Sequence, residues 1–159
     1  MSLKNIQFYK PTASNKGVAV SISFNPEDSG IYVSFIRQFS WDSNKKTGSF
    51  KENKDNAAAK KNIKFNDTEI SGIIRAIEKE DSWSTYHKYG NDKGASISFS
   101  PYIKNEIMSG FGLRVVDSSN KENAFSVGFT LDESIKLREW LRLCLAELYC
   151  GNNEKPVVK

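Results

Sequence analysis

Residues 60–74, KKNIKFNDTEISGII, hold the pattern that decides the fold. An alternating apolar stretch is followed by Asn66, a good helix cap, with Glu69 three residues later. The same order returns in residues 125–141, FSVGFTLDESIKLREWL, where Thr130 is the cap and a Glu again follows three residues on. Such a pair satisfies the free backbone N–H groups at the start of a helix. The sequence therefore predicts two strand-to-helix turns of one kind.

The two turns close two copies of the same order of elements. In the first half, KGVAVSISFNP (16–26), GIYVSFIRQFSW (30–41) and KKNIKFN (60–66) precede a helix. In the second half, KGASISFSP (93–101), GFGLRVVD (110–117) and NAFSVGFT (123–130) do so, and IQFYK (6–10) and WSTYHKY (83–89) add a segment ahead of each copy. We predict an α+β fold of two ββββα repeats, forming antiparallel sheets with helices packed on one face.

These repeats define the predicted domain organisation. Residues 1–150 are expected to form a single domain, with repeat one at about 5–80, repeat two at about 83–149 and a short C-terminal tail at 151–159. A chain of 159 residues is long enough to bury a core of this kind.

The predicted strands alternate with the period of two that is typical of a sheet buried on one face. In the strand at 16–26, Val18, Val20 and Ile22 share one side, and Ser21 lies on the other. The strands of the second repeat show the same division, with Ser and Gly opposite their apolar residues. Such short side chains leave a sheet surface accessible to a flat ligand.

The helices supply apolar surface for the other side of the sheets. Helix one carries Ile70, Ile73, Ile74 and Ile77 at the spacing of a single stripe. Helix two is apolar over more than half of its circumference, so it is either deeply buried or shared with a second subunit, and contact with a second subunit is favoured. The predicted oligomer interface comprises Leu137, Trp140, Leu141, Cys144, Leu145 and Leu148.

Composition narrows the class of protein. The formal net charge of +4 and the pI near 9.0 are mildly basic, which suits a polyanionic partner. Cys144 and Cys150 are the only cysteines and no spaced set of Cys and His exists, so we expect no zinc site and a reducing compartment. The first residues, MSLKNIQFYK, contain no apolar run. We therefore expect no signal peptide, no membrane span and a cytoplasmic protein.

Patterns typical of catalysis are scarce. His87 is the only histidine, and a lone histidine between aromatic residues on a strand is usually structural. No Gly-rich phosphate loop is present, and acidic residues such as Glu69 and Glu133 are explained by helix capping. We expect a protein that is not an enzyme and that uses no cofactor and no metal.

Cations alternate with aromatic residues in FIRQFSWDSNKK (35–46) and STYHKY (84–89), and the polar segment 43–60, predicted as a long hairpin loop or mobile flap, adds Lys51 and Lys54. Taken singly, these aromatics would pack under loops and the lysines would keep the surface hydrated. Their clustering favours single-stranded nucleic acid, whose phosphates bind cations and whose exposed bases stack on aromatic faces. The candidate binding residues are Lys16, Arg37, Phe39, Trp41, Lys45, Lys46, Phe50, Lys60, Lys61, Lys64, Tyr86, Lys88 and Arg114.

The order of elements resembles that of the Whirly proteins and of their smaller relative, the positive-cofactor-four family of transcriptional coactivators. IYVSFIRQFSW (31–41) and KKNIKFNDTE (60–69) stand where those families have a basic-aromatic strand and the strand before a capped helix, and the match covers about residues 5–148. By position, Arg37 matches the family's arginine, Trp41 or Phe39 its stacking aromatic, and Lys60 and Lys61 its basic residues. The resemblance implies binding of single-stranded DNA, or RNA, without strict sequence choice, by a dimer or a tetramer assembled through the helices.

The chain departs from plant Whirlies at the motif Lys-Gly-Lys-Ala-Ala-Leu, of which NKGVAVSI (15–22) keeps Lys16, Gly17 and Ala19. With no transit peptide or transactivating tail expected, a phage or bacterial protein is favoured. The prediction is a sequence-tolerant single-stranded DNA-binding protein that acts in replication, recombination or transcription. The alternatives are an RNA-binding protein of the same fold and a protein–protein interaction module that uses the open sheet face.

Overall fold

The structure, a computed structural model, describes residues 3–150; the predicted tail at 151–159 lies outside this range. The strands are β1 (Ile6–Lys10), β2 (Val18–Asn25), β3 (Gly30–Arg37), β4 (Ser40–Asp42), β5 (Thr47–Ser49), β6 (Lys60–Phe65), β7 (Trp83–Gly90), β8 (Lys93–Lys104), β9 (Ile107–Asp117) and β10 (Ala124–Thr130). The α-helices are α1 (Asp67–Lys79) and α2 (Leu131–Cys150). Two short 3-10 turns, Lys51–Asn53 and Ala57–Ala59, lie between β5 and β6.

The strands form two antiparallel sheets and one separate hairpin. Sheet one has the order β1-β2-β3-β6, sheet two has the order β10-β9-β8-β7, and β4 pairs only with β5. α1 follows sheet one and α2 follows sheet two along the chain. The fold is therefore α+β with two ββββα repeats, as the sequence predicts.

One apolar core joins the inner faces of both sheets and the two helices. Phe8 of sheet one meets Phe129 of sheet two edge to face, with ring centroids 4.9 Å apart. Phe35 and Phe125 make a second aromatic contact between the sheets, at 6.0 Å. α1 packs on β7 and β8, and α2 packs on β9 and β10. Because the inner faces are buried together, the opposite face of each sheet points outward.

The two predicted helix caps are confirmed. The Asn66 side chain accepts a hydrogen bond from the Glu69 N–H at 2.8 Å, and the Glu69 carboxylate accepts one from the Asn66 N–H at 3.2 Å. The Thr130 hydroxyl accepts from the Glu133 N–H at 3.2 Å, and the Glu133 carboxylate accepts from the Thr130 N–H at 3.0 Å. Both helix starts thus use the same reciprocal pair of bonds.

The predicted third strand, residues 30–41, is wrong at its C-terminal end. β3 ends at Arg37, and the chain turns at Gln38 to begin the separate β4–β5 hairpin. Gln38 is only 6% exposed, because its side-chain amide is bonded to the loop before β2. Within the segment predicted as a long loop or flap, residues 43–60, the structure has β5 and the two 3-10 turns. This segment has its own secondary structure.

Neither helix of residues 3–150 combines the length and the apolar character that crossing a membrane requires.

Glu133 links the cap of α2 to sheet one, because its carboxylate also pairs with the Lys10 ammonium. Burial raises the pKa of Glu133, but the hydrogen bonds from Lys10 and from the Thr130 N–H outweigh it and leave the pKa below its usual value of 4.5. A carboxyl group with a lowered pKa in the folded state stabilises the fold above its unfolded-state pKa. That stability is lost as the pH falls through the folded-state value.

We therefore expect Glu133→Gln to unfold at lower urea concentration than the wild type at pH 7, and to lose less stability than the wild type between pH 7 and acid below pH 4. Urea unfolding at a series of pH values measures this. Glu139→Gln, at an exposed position on the same helix, is the control and should keep the wild-type acid response. Parallel pH profiles for wild type and Glu133→Gln would contradict the assignment.

Candidate nucleic-acid interface

The outer face of sheet one is built from short polar residues and a few larger ones in regular rows. One row runs Tyr9, Ala19, Ile36 and Lys60 across the four strands, each residue paired in register with the next. The neighbouring row runs Gln7, Ser21, Ser34 and Asn62 in the same way. The rows face outward because they alternate with buried residues such as Phe8, Val20 and Phe35.

A groove lies between this outer face and the β4–β5 hairpin with its following 3-10 turn. The groove has a volume of about 870 Å³. Its floor is formed by the two rows, and its wall by residues 46–51 together with Lys54. Ala19 is buried although it lies on the outer face, which agrees with its position at the covered end of the floor.

Hydrogen bonds of the Gln38 side chain hold the wall in place. Its Oε1 accepts from the N–H groups of Thr12 and Gly17 at 2.9 and 3.1 Å, and its Nε2 donates to the carbonyls of Thr12 and Ser40 at 3.1 and 3.0 Å. A Cβ at Gly17 would lie 2.4 Å from Gln38 Oε1 and 2.3 Å from the Lys10 carbonyl oxygen, so only glycine fits there. The amide thus ties the loop between β1 and β2 to the base of the hairpin.

The other end of the wall is held by Asn53, which lies in the first 3-10 turn. Its buried side chain donates to the Arg37 carbonyl at 2.8 Å. Phe39 adds a backbone bond across the base of the hairpin, from its N–H to the Ser49 carbonyl at 2.7 Å. Both ends of the wall are therefore bonded to the end of β3 and the residues that follow it.

The groove combines positive charge with aromatic surface. Four lysines line it, and none of the described residues that line it is acidic: the lysines are Lys46, Lys51, Lys54 and Lys60. Tyr9 and Phe50 lie edge to face with ring centroids 6.1 Å apart, and Tyr9 is 62% exposed. This arrangement can hold a phosphodiester at its margin and a flat ring on its floor.

A second cavity, the seam, lies where edge strand β6 of sheet one approaches edge strand β7 of sheet two. It has a volume of about 440 Å³ and is lined by Lys64, Asn66, Glu69, Tyr86, His87, Lys88 and Tyr89. Lys64 pairs with Asp28 at 3.4 Å and lies 5.6 Å from the centre of the Tyr32 ring. The hydrogen bond from the Tyr32 hydroxyl lowers the pKa of Asp28, so this acid stays ionised beside the lysine.

His87 has a structural position in the seam. Its Nε2 lies 2.7 Å from the Glu69 carboxylate that caps α1, and its ring meets Phe65 edge to face. The histidine thus connects sheet two to the start of the first helix. Among residues 3–150, no group of three or more His, Cys, Asp or Glu side chains could hold a metal ion.

The outer face of sheet two is flatter and has no wall. Tyr86 is 53% exposed and pairs in register with Ser96, while Arg114 is exposed between Ser98 and Ser126. The next row consists of Ser100, Gly112 and Gly128, so two of its three positions have no side chain. The same side of sheet two also carries Lys88 and Tyr102, which is 61% exposed, so this face offers cations and aromatic rings on a floor of Ser and Gly.

The predicted binding residues lie in six different places. Lys46, Phe50 and Lys60 lie in the groove, and Lys64, Tyr86 and Lys88 lie at the seam. Arg114 lies on the outer face of sheet two; Phe39, Trp41 and Lys45 lie in or beside the hairpin without lining the groove, and Lys16 lies in the loop before β2. Arg37 and Lys61 lie on the inner side, between the two sheets.

Arg37 is engaged between the two sheets. Its guanidinium donates to the Ala58 carbonyl at 3.0 Å and to the Ala124 carbonyl at 2.9 Å, and it lies 4.0 Å from the centre of the Phe125 ring. Lys61 is placed similarly, since it pairs with Asp117 of sheet two and is only 19% exposed. The geometry assigns both cations to the packing between the sheets, and we leave them out of the proposed binding surface.

Four of the six residues predicted for an oligomer interface are buried inside the chain itself. Leu137, Trp140, Leu141 and Cys144 belong to the core, where a second copy cannot contact them, and Leu145 and Leu148 are half-buried. Burial also raises the pKa of the Cys144 thiol to about 12. The four residues are buried because α2 covers β9 and β10 of its own chain, and this packing takes up most of the apolar circumference of the helix.

The sequence-based set of candidates omits several residues of the groove. Tyr9 and Gln7 on the floor were detectable, because IQFYK places them opposite Ile6 and Phe8. Lys51 and Lys54 belong to the polar segment 43–60, but their position in the groove depends on how the hairpin lies over sheet one. The outward position of Asn62, also on the floor, can be predicted from the alternation in KKNIKF, where Ile63 and Phe65 are the buried residues.

We expect Arg37→Ala to lower the free energy of unfolding by about 1–3 kcal/mol, because the partly buried Ala124 carbonyl loses its charged donor. Urea unfolding measures the loss. Arg75→Ala removes an exposed arginine whose ion pair with Asp81 is worth little, and should change stability by less than about 1 kcal/mol. If Arg37→Ala were as stable as Arg75→Ala but failed to bind nucleic acid, Arg37 would belong to the binding surface after all.

Comparisons with known proteins concern the fold. Neither protein-family models nor curated protein sequences give a match. Among solved structures, WHY1 from Arabidopsis thaliana matches with a TM-score of 0.63 at 13% identity, over 93% of this chain and 86% of that one. The plant transcriptional regulator PBF-2 matches with a TM-score of 0.59 at 16% identity, over 93% of this chain and 91% of that one. The chain therefore has the Whirly-like fold that its order of elements predicts.

Proposed function

We propose that this protein binds single-stranded DNA, with the groove of sheet one as the main contact and the seam and the outer face of sheet two as its continuation. The observation that carries the proposal is the charge of the groove: four lysines line it and none of its described lining residues is acidic. A strand of nucleic acid brings one negative charge per nucleotide to such a surface. Binding there releases counterions from the phosphates, which supplies affinity for any sequence.

Aromatic rings supply the second part of the affinity. Tyr9 and Phe50 are both accessible from the groove, and the small side chain of Ala19 leaves room beside them. An unpaired base can stack on either ring, whereas the bases of a duplex are already stacked and face inward. Stacking of this kind tolerates all four bases and favours single strands over duplex.

The seam gives the strand a path from one sheet to the other. Asn62 lines the groove and Lys64, two residues further along the same edge strand, lines the seam. These two positions are about 6.6 Å apart along a strand. Tyr86 and Lys88 across the seam belong to sheet two, so a strand leaving the groove meets another cation and another ring. The resemblance of fold to WHY1 and PBF-2 supports the binding of single-stranded DNA.

We further propose that the chain forms a homo-oligomer, a dimer or a tetramer, through the exposed side of α2. The apolar side chains available there are Leu131, Ile135, Leu143 and Tyr149, which are 42–73% exposed. Ile135→Arg should lower the mass of the assembly measured by light scattering, whereas Lys136→Arg should not. An unchanged mass for Ile135→Arg would contradict this surface.

Roles in replication, recombination or transcription, and a phage or bacterial origin, stay predictions that rest on the resemblance. RNA as the strand and a protein as the partner are the alternatives. Fluorescence anisotropy with labelled dT and rU oligonucleotides and a matched duplex, over a range of salt concentrations, separates them. We expect salt-dependent binding of dT and much weaker binding of duplex. Tighter binding of rU would make RNA the ligand, and no binding at low salt would contradict the proposal.

Substitutions of Lys51 and Lys54 test the electrostatic contribution to the binding affinity, because both lysines are exposed and neither makes a side-chain hydrogen bond to another described residue. The slope of log K against log salt should change by about 0.7 for each phosphate contact removed. We expect Lys51→Gln/Lys54→Gln to reduce the slope by about 1.4 for every sequence tested. Lys79→Gln/Lys121→Gln, which changes net charge equally at exposed positions outside the groove and the seam, should keep the wild-type slope. Equal slopes for the two double variants would contradict the placement of the strand.

Tyr9 tests the stacking part. We expect Tyr9→Ala to weaken dT binding by about 1–3 kcal/mol, with an unchanged salt slope, because a stacked base is lost and no phosphate contact is. Tyr9→Phe keeps the ring and should bind like the wild type. Ile107→Ala removes an exposed apolar side chain at the start of β9, outside the groove and the seam, and should have no effect. Wild-type affinity for Tyr9→Ala would exclude stacking on this ring.

A further inference from the structure

We propose that the floor of the groove reads the edges of bases, so that binding is selective at one or two positions of the strand. This inference rests on the proposed function and adds to it. The reading residues are Gln7, Ser21, Ser34 and Asn62, which form one row across all four strands of sheet one. The remainder of the strand would still be bound without regard to sequence.

The row is continuous. Gln7 is in register with Ser21, Ser21 with Ser34, and Ser34 with Asn62. Neighbouring strands are about 4.8 Å apart, so the row spans about 14 Å of hydrogen-bonding side chains. All four residues line the groove.

These side chains have unused hydrogen-bonding capacity. Ser21, Ser34 and Asn62 make no side-chain hydrogen bond to another described residue, and Gln7 uses only its Oε1, which accepts from the Tyr9 hydroxyl at 3.0 Å. Serine hydroxyls and carboxamides can both donate and accept. They can therefore form hydrogen bonds with the donor and acceptor groups on a base edge, and different bases present different patterns.

The neighbouring row places a base correctly for such reading. Tyr9 and Lys60 are the ends of that row, and Phe50 stands above it in the wall. A base that stacks on Tyr9 or Phe50 lies about 7 Å or less from the polar row, because residues two apart on one strand are separated by about that distance. The wall restricts the orientation of the base, because it lies across the groove from the floor. Stacking and edge contact are thus available to the same base.

Sheet two provides a matched comparison. Its row Ser84, Ser98, Arg114 and Ser126 is also in register and polar, but no hairpin covers it. A base on that open face has no wall to fix its orientation. We therefore expect selectivity from the groove and not from the sheet-two row.

The test uses dT oligonucleotides that the wild type binds with one protein chain per oligonucleotide. At each position in turn, thymine is replaced by adenine, cytosine, guanine or an abasic residue, and the Kd is measured by anisotropy. We expect one or two positions at which the Kd values of the four bases differ by about fivefold or more, as one good edge contact provides. In Ser21→Ala/Ser34→Ala/Asn62→Ala this spread should fall below about twofold, with an unchanged salt slope.

The control is Ser84→Ala/Ser98→Ala/Ser126→Ala, which should keep the spread, and circular dichroism checks that both triple variants are folded. A wild type that binds dT with the same Kd for every base at every position would overturn the reading row while leaving the proposed function intact. A spread that survives in the groove variant, or is lost only in the sheet-two variant, would also overturn it. Failure to bind any single strand would overturn the proposed function itself. If the groove variant is unfolded, Asn62→Ala alone, on an exposed edge strand, takes its place and should reduce the spread at one position.

Discussion

The burial of both apolar sheet faces in one core is the constraint on which the outer surface depends. Each sheet has one apolar face, and the two helices cover only part of it, so the sheets also pack on each other through pairs such as Phe8 and Phe129. This arrangement leaves two outward faces on one small chain. It also explains why cations at the boundary between the sheets, Arg37 and Lys61, are bonded inward to groups of the other half.

The same boundary separates cations that stabilise the fold from those that we propose bind phosphate. Lysines that project from the hairpin and from the outer rows meet no acid in the groove, whereas Lys61 and Lys10 are paired with carboxylates of the second repeat. A cation without a partner contributes little to folding and is available to a phosphate. The groove therefore has its charge because the hairpin adds lysines that the packing of the sheets does not use, and Gln38 fixes that hairpin over the floor.

Much of the fold can be predicted from the sequence because its signals are local. The caps at Asn66 and Thr130 and the alternation of the strands each depend on neighbouring residues, and the structure has both. The inward position of Arg37 could also be predicted from the sequence, since Arg37 shares a side of β3 with Phe35. A search for clustered charge along the chain does not consider on which side of the strand each residue lies.

The remaining features depend on contacts between distant segments. No local pattern shows that Gln38 would end β3 or that the hairpin would lie over sheet one, because the bonds of Gln38 reach back to Thr12 and Gly17. The burial of α2 likewise follows from how much of β9 and β10 it covers. From the sequence alone, the apolar circumference of α2 is equally consistent with packing on a sheet of the same chain and with packing on a second subunit.

In the proposed complex a single strand lies in the groove under the hairpin. Photo-cross-linking of a dT oligonucleotide that contains 5-iodouracil, followed by mass spectrometry of the peptides, tests this placement because the adduct marks the ring against which the base lies. We predict adducts on Tyr9 or Phe50, with further adducts on Tyr86 across the seam. Adducts confined to rings outside the groove, the seam and the outer face of sheet two, such as Tyr149, from a protein that binds the oligonucleotide, would contradict it.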